Sequence, residues 1–103
     1  MQEKVKLFNE NKKVHTTAMP IQARLLDIQS ELGELSKEYL KNSKYGTKDF
    51  KLSNEFELEF GDVLYSLLSL ACELNLNSEQ ALDKIIEKYK SRIKQNNNMG
   101  SNV

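Results

Sequence analysis

Apolar residues recur along this chain in steps of three and four, with little of the alternation that marks strands, so the pattern predicts an all-α protein. Four glycines and one proline are too few to break it often, and four helices are expected. The first, over residues 2–13, is weak, because Val5, Leu7 and Phe8 are its only candidates for burial. The second opens at Thr16 or Thr17, with Pro20 in the first turn where no N–H is needed, and runs to about Lys41. Its buried stripe is Ile21, Leu25, Ile28, Leu32, Leu35 and Tyr39, which keeps one face toward a partner helix. The polar stretch KNSKYGTKDFKLS follows and reads as a mobile connection.

Ser53 or Asn54 caps the third helix, with Glu57 placed to complete a capping box on Asn54. The expected stripe here is Phe56, Phe60, Val63, Leu67, Leu70 and Leu74, yet Leu64, Tyr65, Leu68, Ala71 and Cys72 occupy other faces. A helix that is apolar nearly all round must be covered on every side. Three short neighbours cannot do that, so self-association is expected. Asn77 or Ser78 caps the fourth helix, which buries Leu82, Ile85, Ile86, Tyr89 and Ile93. The expected organisation is one four-helix, bundle-like domain over residues 1–95, followed by a disordered tail at 96–103.

Charge narrows the partners. Lys plus Arg number 15 and Asp plus Glu number 15, so no long-range field draws the chain to nucleic acid or to an anionic membrane. No apolar stretch reaches the length of a bilayer span, and the start, MQEKVKLFNENKKV, holds no signal core. The lone Cys72 excludes an internal disulfide and fits a reducing compartment, so the expected location is the cytoplasm.

Acidic residues then carry the chemistry. Asp27, Glu31, Glu34 and Glu38 each stand one residue before a member of the second helix's stripe, and Glu55, Glu59 and Asp62 do the same on the third. Two acidic edges can face each other if the helices pack antiparallel. Taken alone, either ExxE or ExxD pair is an ordinary solvated helix face. Together, Glu31, Glu34, Glu59 and Asp62 surround one point at the margin of the core, where repulsion and lost hydration call for a cation. Oxygen donors without His or Cys select Mg²⁺, with Mn²⁺ as a substitute. Gly33 and Gly61 stand one residue before the second acid of each pair, although Gly inside a helix costs about 1 kcal/mol relative to Ala. Two such glycines suggest close backbone approach beside the acids. SELGEL and LEFGDVL also look alike, which hints at a duplicated half-site. On the fourth helix Lys84, Lys88 and Arg92 form a basic row, by itself a solvated flank but beside a metal a phosphate clamp. His15, Tyr45, Phe50 and Lys41, Lys44, Lys48 and Lys51 read more simply as helix-end, lid and solubilising residues.

ELGEL at 31–35, EFGDVL at 59–64 and SEQALDKIIEKYKSR resemble the MazG-like nucleoside triphosphate pyrophosphohydrolases, over residues 21–92. The resemblance implies an α-helical dimer or dimer of dimers and Mg²⁺-dependent hydrolysis of a nucleoside triphosphate, often a deoxy one, to monophosphate and pyrophosphate. It also implies Glu31, Glu34, Glu59 and Asp62 as metal ligands, Lys88 and Arg92 as phosphate contacts, and a role in clearing unwanted nucleotides. The chain departs from the pattern at Ser30, where many members carry Glu, and at Ile86, where many carry a polar residue. Rival readings are a phosphoribosyl-ATP pyrophosphatase-like enzyme and a non-enzymatic helical dimer acting as adaptor or regulator. No GxxxxGK[ST] loop is present, which argues against a P-loop ATPase.

Overall fold

A computed structural model of the chain describes residues 1–11 and 21–96. Four helices, α1 (Gln2–Asn11), α2 (Ile21–Asn42), α3 (Asn54–Glu73) and α4 (Ser78–Asn96), occur among them, and no strand. The expected start of the second helix at Thr16 or Thr17, His15, and nearly all of the expected tail lie outside the described residues. No helix among the described residues is long and apolar enough to cross a membrane.

The packed pairs are α2 with α3 and α1 with α3. Partners that ascend α2 descend α3: Arg24 meets Glu73, Glu31 meets Glu59 and Asp62, and Tyr39 reaches Phe56 through Phe50. The hairpin is therefore antiparallel. At its open end the Arg24 guanidinium donates to Glu73 at 2.6 Å. At its closed end Phe50 stacks on Tyr39, with ring centres 5.0 Å apart, and meets Phe56 edge-on at the same distance.

The stretch expected to be mobile is instead a hydrogen-bonded turn. Ser43 is buried, and its carbonyl accepts from Gly46 and Lys48 while its hydroxyl also accepts from Gly46. Lys44, Tyr45 and Gly46 all take positive φ, an uncommon path for the first two that these bonds hold in place. The side-chain amide of Asn42 donates to the Ser53 hydroxyl at 2.6 Å, and that hydroxyl accepts from the Phe56 N–H at 3.1 Å. Ser53 is thus the N-cap of α3, and the capping box expected on Asn54 does not form. With Ser53 at the cap, Glu57 falls one residue past the position from which a side chain reaches back.

The buried face of α3 also differs from the expected stripe. Ser66, Leu68, Ser69 and Ala71 are buried, while Phe60, Leu67 and Leu74 are exposed. The cause is α1, whose Asn9 accepts from the Tyr65 hydroxyl at 2.5 Å and donates to the Ser69 hydroxyl at 3.3 Å. Val5 is buried in the same contact and Phe8 meets the Tyr65 ring edge-on. Small at its place in the interface, Ser69 lets α1 approach closely and also accepts from Asn9.

The expected seam is split. Ile21, Ile28 and Leu35 on α2, and Phe56, Val63 and Leu70 on α3, are half-buried, each set spaced by sevens. The companion sets Leu25, Leu32, Tyr39 and Phe60, Leu67, Leu74 are exposed, at 45% to 55% of their full area. The arrangement is bundle-like, closest where α2 and α3 pack, and among the described residues α4 makes only slight contact with the other helices. The radius of gyration is 17.1 Å, against about 13 Å for a compact chain of this length.

Candidate metal centre

The antiparallel pairing of α2 and α3 turns their acidic edges toward each other. One carboxylate oxygen from each of Glu31, Glu59 and Asp62 lies within 4.8 Å of the other two. Glu31 and Glu59 are half-buried and Asp62 is exposed, so the group sits at the margin of the helix interface and opens to solvent. Glu34, expected as a fourth ligand, lies outside this triangle. Glu34 is exposed, though its charge still acts on Glu31.

Crowding shows in Glu31, whose carboxyl is pushed above the ordinary value of 4.5. Loss of water at the helix interface comes first, then the charges of Asp62, Asp27, Glu59 and Glu34. All five causes act in one direction. Arg24 pairs with Glu73 and Lys90 with Glu87, and neither of these ion pairs involves this group.

The donor set fits a small hard cation. A Mg²⁺ ion with bonds of about 2.1 Å holds ligand oxygens up to about 4.2 Å apart, so these three carboxylates reach one ion through small side-chain rotations. Glu31, Glu59 and Asp62 would hold it, and Glu34 and Asp27 add negative charge around it.

The glycine expectation is corrected. A Cβ built on Gly33 or on Gly61 meets nothing within 4 Å, so among the described residues no backbone approaches there. Gly33→Ala and Gly61→Ala are therefore expected to stabilise the isolated chain by about 0.5–1 kcal/mol each. Chemical denaturation of both variants at low protein concentration checks this, and a loss of stability in either would mean that something outside the chain covers the glycine.

Of the expected phosphate-binding residues, Lys84 and Lys88 are exposed and Arg92 is half-buried. Among the described residues α4 makes only slight contact with the helix pair that carries the acids. Ser30 and Ile86, the two departures, are both exposed. Tyr45 is exposed, Phe50 closes the end of the hairpin between two rings, and Lys41, Lys44, Lys48 and Lys51 border an open cleft on the connection. The sequence reading left Arg24 aside, although it stands seven residues before Glu31, on the same helix edge.

No protein-family profile and no solved structure matches the chain. Among curated proteins it is similar to one of Bacillus subtilis (strain 168) named "Uncharacterized protein YpjD", 37% identical over 75 residues, which cover 70% of this chain and 66% of the relative's length.

Proposed function

We propose that the chain is a Mg²⁺-dependent nucleoside triphosphate pyrophosphohydrolase that yields the nucleoside monophosphate and pyrophosphate. The observation that carries this reading is the convergence of Glu31, Glu59 and Asp62 from two helices, with Glu31 crowded by the charges around it. The reaction class comes from the resemblance of ELGEL and EFGDVL to the MazG-like enzymes.

When bound, Mg²⁺ or Mn²⁺ supplies neutralisation of phosphate oxygens and a lowered pKa for water. The protein's own residues do the rest. Glu31, Glu59 and Asp62 hold the cation at a solvent-facing margin that a triphosphate can reach, and a carboxylate of the acidic group accepts the proton of the attacking water. Lys88 and Arg92, with Lys84 beside them, bind phosphate oxygens and stabilise charge on the departing pyrophosphate. The exposed half of the seam on α2 and α3 supports a homodimer or dimer of dimers, because apolar rows spaced by sevens pack against a second such pair. A cytoplasmic nucleotide-clearing role, with neither nucleic acid nor membrane as partner, agrees with the zero net charge.

The same exposed seam favours a second reading, a helical adaptor whose acids are surface charge. The two are separated by incubating the protein with Mg²⁺ and a panel of nucleoside triphosphates that includes phosphoribosyl-ATP. Monophosphate and pyrophosphate are expected from at least one substrate, and excess chelator is expected to abolish the products. A panel without products, together with no thermal stabilisation by Mg²⁺, would leave the adaptor.

A further inference from the structure

We propose that Gln2 is a positioning residue that sets the direction of α4, and with it the place of Lys84, Lys88 and Arg92. The elbow between α3 and α4 is closed locally at both ends. Asn75 takes a left-handed φ of 56°, Leu76 donates to the Ala71 carbonyl at 2.9 Å and Asn75 to Cys72 at 3.2 Å, the pattern that ends a helix. Two residues on, the Asn77 side chain accepts from the Gln80 N–H at 3.0 Å and starts α4. These bonds shape the turn but tie it to nothing beyond itself.

Gln2 makes that tie. Its Nε2 donates to the Leu76 carbonyl at 2.6 Å, and its Oε1 accepts from the Ser78 N–H at 2.8 Å. Both ends of one carboxamide therefore grip the elbow, on either side of the cap residue, from more than seventy positions away. α1 is itself held to α3 by Val5, Phe8 and Asn9, so the grip joins α4 to the body of the protein.

Among the described residues, little else ties the elbow to α1. The first turn of α1 faces the elbow across a cleft of about 410 Å³ bordered by Gln2, Glu3 and Lys6 on one side and by Cys72, Asn75 and Glu79 on the other. Gln2 spans a gap that apolar packing does not fill. The contact between the Cys72 thiol and the Gln2 carbonyl is long, at 3.9 Å. α4 makes only slight contact with α2 and α3.

Leverage makes the two bonds matter. Lys88 lies ten residues beyond Ser78 in a helix of 19 residues, which places it about 15 Å from the elbow. A swing of about 10° there moves it by about 3 Å. That exceeds the tolerance of a hydrogen bond to a phosphate.

Three full-length proteins test the proposal: wild type, Gln2→Leu, which removes both bonds, and Gln2→Glu, which keeps the acceptor for Ser78 and loses the donor to Leu76. Amide exchange at Ser78 and residual dipolar couplings across α3 and α4 are read by NMR. In Gln2→Leu the Ser78 amide is expected to exchange at least tenfold faster and the α4 couplings to shrink, while α2 and the middle of α3 keep their protection. Gln2→Glu is expected to retain protection at Ser78 with α4 couplings between the two.

Unchanged exchange at Ser78 and an unchanged α4 direction in Gln2→Leu would overturn the proposal. So would equal loss of protection throughout α2 and α3, the mark of a residue that merely stabilises the fold. The consequence for phosphate binding rests on the function proposed above and has its own readout, a lowered kcat/KM. A freed α4 with kcat/KM unaltered would support the latch and count against the phosphate role of the basic row.

Discussion

Glu73→Ala is expected to destabilise the protein by about 3–5 kcal/mol, because breaking a buried ion pair strands the charge that remains. In a domain of this size that is a fall of roughly 12 °C or more in thermal midpoint, and a large part of a total stability of about 5–15 kcal/mol. Arg24 is 5% exposed. Its guanidinium stays charged in any folded protein, and its Nε has no hydrogen-bond partner. The bond of 2.6 Å from Nη2 to Glu73 is therefore a main compensation for burying it.

The two partners are not equivalent. The Glu73 side chain keeps 22% of its surface in solvent, so Arg24→Met leaves a carboxylate that water can reach. Arg24→Met should cost markedly less than Glu73→Ala, and the double variant Arg24→Met/Glu73→Leu should recover most of the loss by replacing the pair with apolar contact. Thermal and urea denaturation of the three variants measures this order. If Glu73→Ala loses no more than Arg24→Met, the buried guanidinium does not depend on its partner.

Asp62→Asn is expected to move two observables in opposite directions. With Mg²⁺ and a nucleotide substrate, turnover should fall by about 10²-fold or more, the scale on which positioned acid–base groups and metal sites act. Without metal the variant should be more stable than wild type, because Asp62 is the foremost charge acting on Glu31. The sign with pH follows from Glu31 lying above its ordinary 4.5. Repulsion penalises the folded state in full above the raised pKa and disappears once the pH falls below 4.5, where Glu31 is protonated folded or unfolded. The stability gain of Asp62→Asn in chelator should therefore be largest at neutral pH and shrink on acidification. Glu59→Gln should behave likewise with a smaller gain, since its charge ranks below those of Asp62 and Asp27. A variant that keeps full turnover and gains no stability in chelator would show that the acids neither bind the ion nor crowd one another.

Much of the helical framework was legible along the chain, since it depends on residues close together. α2 ends within a residue of its expected limit, α3 begins beside its two expected cap residues, and Asn77 caps α4 as one of the two residues named for it. The choice between Ser53 and Asn54 was not legible. Asn42, eleven positions earlier, donates to Ser53 and so decides it. Burial of Ser66 and Ser69 against exposure of Phe60 and Leu67 was likewise hidden, because hydropathy ranks those residues the other way and only the docking of Asn9 and Val5 reverses them. The offset from the apolar stripe picked out Glu31, Glu34, Glu59 and Asp62 alike, and it could not show that Glu31, Glu59 and Asp62 draw together while Glu34 stays outside their triangle.

Chain order alone was enough for the helical class, the approximate limits of most helices and the presence of an acidic edge on each of two of them, because periodicity and capping act over a few residues and need no distant partner. Which acids converge, which half of the apolar seam is covered, and how Gln2 and Arg24 are used depended on the pairing of α2 with α3 and on the seat of α1. Those contacts join residues 28 to 76 positions apart, and a spacing rule that sees one helix at a time has no access to them.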